Sequence, residues 1–362
     1  MFYELVEPLR AWWFGFNVMR YITFRAAMAS VTAFLFTLWL YPRMIVWLNA
    51  IRLGESARGA DIPKLHELQK HKTGTPTMGG LLILGALVGA TWLWASWHEP
   101  LVWAAVAVTL ALGAVGCWDD YLKWTQRRAD GLPARWKLAC QVAIALVFAG
   151  WYFTRPEVGT GLDVPFAKEI VVELGWLIVP FVMLVIVGAS NAVNLADGLD
   201  GLAIGCATMI AIAYAGMSYV SGHHRFSEYL WIPYIPGAGE LAVFCAALVG
   251  AGLGFLWYNG HPASVFMGDT GSLALGGALG AVAVLIKKEL LLAVVGGIFV
   301  AEALSVMIQV ASFQLTGRRV FLMAPLHHHF QLKGWPENKV TVRFWIVGAV
   351  LAMLSLSTLK LR

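Results

Sequence analysis

Charge is scarce in this sequence: Asp, Glu, Lys and Arg make up 13% of its 362 residues, whereas 59% are hydrophobic. With a mean hydropathy of +0.70, the chain carries more apolar surface than a water-soluble fold of this length can hide. The scarcity excludes a soluble globular protein. Basic runs are also missing, so the formal net charge of +5 makes no nucleic-acid patch, and no nucleic acid is expected as a partner. Cysteines number four, Cys117, Cys140, Cys206 and Cys245, and none forms a Cys-x-x-Cys pair. Each falls inside or at the edge of an apolar segment, which reads as buried single thiols and excludes a disulfide or zinc framework. Internal repeats, low-complexity tracts and soluble-domain boundaries are absent too, so one integral membrane domain over 1–362 is expected. Residues 1–20 hold Trp12, Trp13 and Phe14 among Glu4, Glu7, Arg10 and Arg20. They lack the basic start, apolar middle and cleavage site of a signal peptide and read as an interfacial segment.

What is present is a series of long apolar windows, at 22–48, 77–97, 101–118, 136–153, 176–192, 201–220, 241–258, 270–286, 290–314 and 341–359. They predict an all-α polytopic membrane protein with about ten transmembrane helices in a lipid bilayer. An even count puts both termini on one side. Loops 49–75, 119–137 and 315–343 hold five Lys and Arg each, against nine over the termini and alternate loops together. The positive-inside rule makes the three basic loops cytoplasmic and the termini periplasmic. With that count, Lys72 to Gly80, Asp119 to Lys123, Asn191 to Gly201, Asn259 to Asp269 and His327 to His329 all open on the cytoplasmic face. A miscount by one would split them between faces.

Those stretches hold the chemistry. Asp119 and Asp120 end an inward-running span, where negative charge opposes the helix macrodipole and needs an offsetting positive charge. Neighbouring helical residues point about 100° apart, so one acid can face a cation and the other a substrate or Lys123. Solvated loop acids neutralised by Lys123, Arg127 and Arg128 are the alternative. Asn191, Asn194, Asp197 and Asp200 recur at steps of three, with Gly198 and Gly201 letting backbone approach a ligand. One of the two aspartates is expected to cap the span beginning near Leu202. Asp269 opens a span beside Thr270 and Ser272, where free helix amides suit phosphate and a carboxylate suits Mg²⁺; simple capping is the alternative. The triplet His327-His328-His329 suits zinc poorly and a diphosphate better. Gly74 to Gly80, preceded by Lys70 and Lys72, lacks the Walker spacing, and a plain turn remains open for it. Gly250 to Gly254 and Gly276 to Gly280 read as helix-packing contacts.

Carboxylates imply Mg²⁺, lysines, histidines and helix ends imply phosphates, and the setting implies a lipid substrate. Phosphoryl transfer at the cytoplasmic interface fits all three. A cation-coupled transporter is the competing class, but transporters place such acids near mid-span in broken helices and inverted repeats.

The stretches Asp119-Asp120-Tyr121, Asn191 to Leu202, Phe266 to Gly277 and Ala324-Pro-Leu-His-His-His-Phe330 closely resemble the phospho-N-acetylmuramoyl-pentapeptide transferases. These belong to the polyprenyl-phosphate sugar-1-phosphate transferase superfamily, and the resemblance runs through essentially the whole chain, Lys333 to Pro336 included. It implies a ten-helix enzyme of the bacterial inner membrane. The reaction would move phospho-MurNAc-pentapeptide from UDP-MurNAc-pentapeptide to undecaprenyl phosphate with Mg²⁺, giving lipid I and UMP. It also implies a homodimer and inhibition by nucleoside antibiotics. By residue, it makes Asp269 the metal ligand and Asp119 and Asp120 the acids at the lipid phosphate. Asn194, Asp197, Gly198, Leu199 and Asp200 would line the uridine side, Phe266 would stack on the base and Asn191 would be a further substrate contact. Asn259, His327, His328 and His329 would contact diphosphate or sugar, with Lys72, Thr77, Lys123 and Gln309 as further substrate contacts. Ala196 and Thr73 depart from the usual Thr and basic residue of the family, which touches local nucleotide contacts. A sister transferase using UDP-GlcNAc is the nearer alternative.

Overall fold

The computed structural model describes residues 4, 14–51, 72, 74–126, 131–155, 159–165 and 171–360. The expected helices α1 (Ile22–Ala50), α2 (Gly80–Trp94), α3 (Pro100–Gln126) and α4 (Ala134–Phe153) form in order. Strands β1 (Gly161–Asp163) and β2 (Val171–Glu173) follow, pairing antiparallel with Gly161 opposite Glu173. Next come α5 (Ile178–Ala196), α6 (Leu202–Ser221), short α7 (His224–Leu230), α8 (Ala238–Asn259) and α9 (Gly268–Leu285). Short α10 (Glu289–Val295), α11 (Gly297–Thr316), short α12 (Leu326–Leu332) and α13 (Glu337–Ser357) complete the chain. Among the described residues nine helices are long and apolar enough to cross a membrane, and α2, with 15 residues, is a shorter apolar one. These are the ten expected windows. The hairpin and the break between α10 and α11 were not foreseen; Gly296 separates the last two. Most of residues 1–20 and the basic residues Lys70, Arg127 and Arg128 lie outside the described residues, and Phe14–Arg20 forms a 3-10 helix.

Depth within the bundle follows side-chain size. In α9, 94% of the apolar window is buried, against 22% in α1 and α11, so α9 is the central helix and its neighbours face lipid. Large apolar side chains such as Trp39, Val147, Leu184 and Met353 line that outer surface, which in a bilayer needs no covering. Small residues let α9 be central. A Cβ at Gly276 would collide with the Ala189 carbonyl of α5, and one at Gly250 of α8 with the Ser30 carbonyl of α1. The packing role expected of these glycines is borne out.

Polar groups gather at the two ends. At one end Arg25 of α1 pairs with Glu240 of α8 through two hydrogen bonds of 2.7 and 2.5 Å and donates to the Trp94 carbonyl at 3.1 Å. The other end holds the C-termini of α3, α5 and α8 and the N-termini of α4, α9 and α13, together with Lys72, Asp119, Asp120, Asp200 and Asp269.

Candidate active site

Three carboxylates from two helices meet at that end. Asp119 and Asp120, from the last turns of α3, and Asp269, from the first turn of α9, are 2%, 3% and 6% exposed. Their oxygens lie within 4.8 Å of one another. Such proximity is possible because Gly116 lets α3 touch α9: a Cβ there would collide with the Asp269 carbonyl.

Asp120 does not face solvent. Its Oδ1 accepts the Asp269 amide at 3.1 Å, and its Oδ2 accepts the Thr270 amide and hydroxyl at 2.9 and 2.7 Å. A side chain from α3 thus caps α9, and the helix amides expected to be free for phosphate are taken. The carboxylate is the better ligand for them because it is fixed, dry and already charged. Thr77 lies on the same spot, near Gly268.

Asp119 and Asp269 face ammonium groups. Lys123 Nζ stands 2.5 Å from Asp119 and 2.8 Å from Asp269, and Lys137 Nζ stands 2.6 Å from Asp269 and 3.9 Å from Asp119. The Asn194 amide, turned with its nitrogen toward Asp269 Oδ1 and its oxygen toward Lys137 Nζ, lies 3.1 and 3.2 Å from them. Among the described residues, three carboxylates against two ammonium groups leave one net negative charge. Close-set hard oxygen donors with residual negative charge suit a divalent cation such as Mg²⁺, so these residues fit the expected ion.

A second cluster, containing Lys72, sits beside the first. Lys72 Nζ is 2.9 Å from Asp200 and 2.6 Å from Glu337 at the start of α13, and 5.8 Å over the Phe266 ring. Asp200 Oδ2 also lies 3.0 Å from His261 Nδ1 and accepts the Ala263 amide at 3.1 Å. Burial alone would lower the Lys72 ammonium, but Glu337 and Asp200 outweigh it and hold it above the ordinary lysine range. Burial would likewise raise Asp200, yet Lys72 and the Ala263 and His261 hydrogen bonds keep its carboxyl below the usual range. The loop 197–201 is therefore clamped: the Asp200 amide donates to Glu337 at 2.8 Å and the Gly201 amide to Asn259 Oδ1 at 3.0 Å. The residue that precedes α6 is Gly201, at φ 73°, which has no side chain to cap with, and Asp200, a candidate for that cap, is held by Lys72 instead.

Other expected residues divide. Asn259 gives its amide to the Val265 carbonyl at 2.8 Å, and Leu199 is buried in the core. Asn191 bonds Gln141 of α4 at 2.8 Å and so ties two helices together. Gln309 bonds backbone at Val320 and Phe321, and His329 Nδ1 accepts the Leu322 amide at 3.1 Å; none of these bonds reaches the carboxylates. His327 packs on Gly198, and its ring meets that of His328 at 4.2 Å. Burial, then the neighbouring His327, pushes the His328 imidazole down to about 3. It is a neutral hydrogen-bonding group at physiological pH, 2.9 Å from Gln331. Lys137, His261 and Glu337 are additions to the expected set. Lys137 had a signal: a cation in the first turn of a helix opposes its dipole unless an acid faces it.

The profile of glycosyl transferase family 4 matches residues 102–287, and the phospho-N-acetylmuramoyl-pentapeptide-transferase signature 1 matches 72–84. The chain is 51% identical to the phospho-N-acetylmuramoyl-pentapeptide-transferases of Desulfotalea psychrophila and Granulibacter bethesdensis, covering all of this chain and of each relative. Its identity to that of Desulfovibrio desulfuricans is 50%, again with full coverage. The chain belongs to the phospho-N-acetylmuramoyl-pentapeptide-transferase family. It is accordingly a multi-pass protein of the bacterial inner membrane. The family signature runs from Lys72 through the loop that pairs with the strand-like segment before α9, where the Phe266 amide bonds Pro76 and the Gly79 amide bonds Phe266. The family 4 match spans Asp119, Asp120, Asp197, Asp200 and Asp269 but stops short of His327 to His329 and Glu337.

Proposed function

We infer that this chain transfers phospho-MurNAc-pentapeptide from UDP-MurNAc-pentapeptide to undecaprenyl phosphate, forming lipid I and UMP in peptidoglycan synthesis. The observation that carries the chemistry is the convergence of Asp119, Asp120 and Asp269 with Lys123 and Lys137 at one end of the bundle. We place that end at the cytoplasmic face of a single membrane domain, with both termini periplasmic, on the loop charges.

Direct attack is the favoured route. An oxygen of the lipid phosphate attacks the sugar-bearing phosphorus, the bond from that phosphorus to the UMP oxygen breaks, and its electron pair leaves with UMP. A phosphate monoester has a second pKa of about 6, so the nucleophile is already ionised at neutral pH and no strong base is required. Lys123 and Lys137 would draw the two anionic substrates together and neutralise charge on the transferring group. Asp119 and Asp269 would hold those lysines, and Asp269, with Asp119 beside it, would hold Mg²⁺. Bound there, Mg²⁺ supplies charge neutralisation and alignment of phosphate oxygens. Asp120 would set the positions of the other two acids rather than act as nucleophile, because both its oxygens accept hydrogen bonds from α9. Loop 197–201 with Phe266 and Lys72 would seat the uridine, and His327 to His329 and Asn259 would stand on the diphosphate and sugar side. The homodimer and the susceptibility to nucleoside antibiotics implied by the resemblance belong to the same proposal.

The test is UMP release by purified protein from UDP-MurNAc-pentapeptide, with and without undecaprenyl phosphate and Mg²⁺. Release is expected only with all three together. Release from UDP-GlcNAc instead points to the sister transferase. UMP released before lipid is added, with labelled phosphate trapped on Asp119 or Asp120, overturns direct attack.

A further inference from the structure

One buried acid takes no part in the arrangement above. Glu302, in the second turn of the apolar helix α11, is 0% exposed. A carboxylate so far from water is retained only with a partner that offsets its lost hydration. The partner is His327, itself 1% exposed: its amide donates to Glu302 Oε1 at 3.2 Å, and its Nδ1 lies 3.3 Å from Oε2. One side chain therefore holds the backbone of the first histidine of the triplet by a hydrogen bond and stands against its ring. The opposite edge of that ring fills the space beside Gly198, where any Cβ would collide with Nε2. Glu302, His327 and Gly198 form a contiguous relay from a membrane-embedded helix to loop 197–201. Glu337, Asn259 and Lys72 hold Asp200 and Gly201 on the loop's other side, so His327 is the abutment against which its Gly198 end rests.

We propose that Glu302 is a positioning residue for the nucleotide substrate, holding His327 against Gly198 and so fixing the loop that seats the uridine. The proposal rests on the functional reading above. It makes the effect of Glu302 selective: the loop serves one substrate, so binding of that substrate suffers first.

The experiment uses the full-length protein in nanodiscs, varying UDP-MurNAc-pentapeptide and undecaprenyl phosphate separately. Glu302→Ala is expected to raise KM for the nucleotide substrate about tenfold, with kcat and the lipid KM within about threefold of wild type. Glu302→Gln, which keeps an acceptor for the His327 amide and a polar group for Nδ1, is expected to restore that KM to within about threefold. Glu302→Ala with His327→Ala is expected to be no worse than His327→Ala alone, since both act through one contact. Glu302→Asp, which shortens the reach to His327, is expected to give the same KM signature and serves if Glu302→Ala does not fold. Faster amide hydrogen exchange over 197–201 in Glu302→Ala is the readout that needs no turnover. An unchanged nucleotide KM in folded Glu302→Ala or Glu302→Asp, multiplying effects in the double variant, or unchanged exchange overturns the proposal. A wild-type protein that releases no UMP overturns the functional reading instead, and the exchange measurement still decides the role of Glu302.

Discussion

The two ends of the bundle each bury opposite charges, and they do so differently. At the far end, one guanidinium meets one carboxylate through two parallel hydrogen bonds, and Glu240 takes a further one from the Ser96 amide at 2.9 Å. Within that pair the charges match one to one and the geometry is closed. At the site, two ammonium groups are shared among three carboxylates. Lysine suits the second arrangement as arginine suits the first: a compact, rotatable point charge can follow a moving phosphate, whereas a planar fork locks one partner. A closed pair joins helices. An open, unbalanced cluster retains attraction for something that is still to arrive.

Four substitutions test that contrast, beginning with the largest effect. Asp269→Ala is expected to cut the rate of UMP release by about 10⁴-fold, the scale of losing a carboxylate from a catalytic unit. Its thermal midpoint should hold or rise, because two acids against two lysines are balanced; a clear fall would mean that the cluster is structural like the other one. Glu240→Gln should do the opposite. With Arg25 left buried beside a neutral amide, it is expected to cost about 3–5 kcal/mol of stability while activity per folded molecule stays within about twofold, measured by denaturation in detergent alongside turnover. Lys137→Met is expected to lower turnover by about 10- to 100-fold and to weaken the response to Mg²⁺ little, since it removes attraction for phosphate and no oxygen donor. An effect confined to stability would place Lys137 with Arg25.

The smallest effect concerns pH. His328 is held neutral down to about 3, whereas an unfolded histidine takes up its proton near about 6.5. Between those values the unfolded chain binds more protons, so stability from this residue is complete above about pH 6.5 and is lost as pH falls toward 3. His328→Gln should therefore flatten the acid decline of the thermal midpoint by about 2 °C or more, read between about pH 6.5 and pH 4. Identical declines in wild type and variant would contradict it.

Hydropathy made the membrane bundle legible, because each span must be apolar over a fixed length whatever its neighbours are. Spacing made much of the site legible as well: Asp119, Asp200 and Asp269 stand where charge is costly, and they are brought to one end. What spacing cannot carry is the use to which each lone pair is put. Asp120 reads like its neighbour Asp119, yet it bonds amides 149 and 150 positions away. Asp200 looks like a helix cap and is held by Lys72 instead. Lys137 and Glu302 were hidden for a different reason, as single charges inside windows otherwise apolar enough to be taken for plain spans. The β1–β2 hairpin is three residues a side, too short for alternation to reveal.

The hold of Asp120 on the start of α9 ties the mechanics of the bilayer to the chemistry. Because three hydrogen bonds lash the last turns of α3 to the start of the central helix, any tilt or slide of α3 must carry α9 with it or break them. The spacing between Asp119 and Asp269 is thereby set by a polar fastening between two helices and not by the lipid around either one.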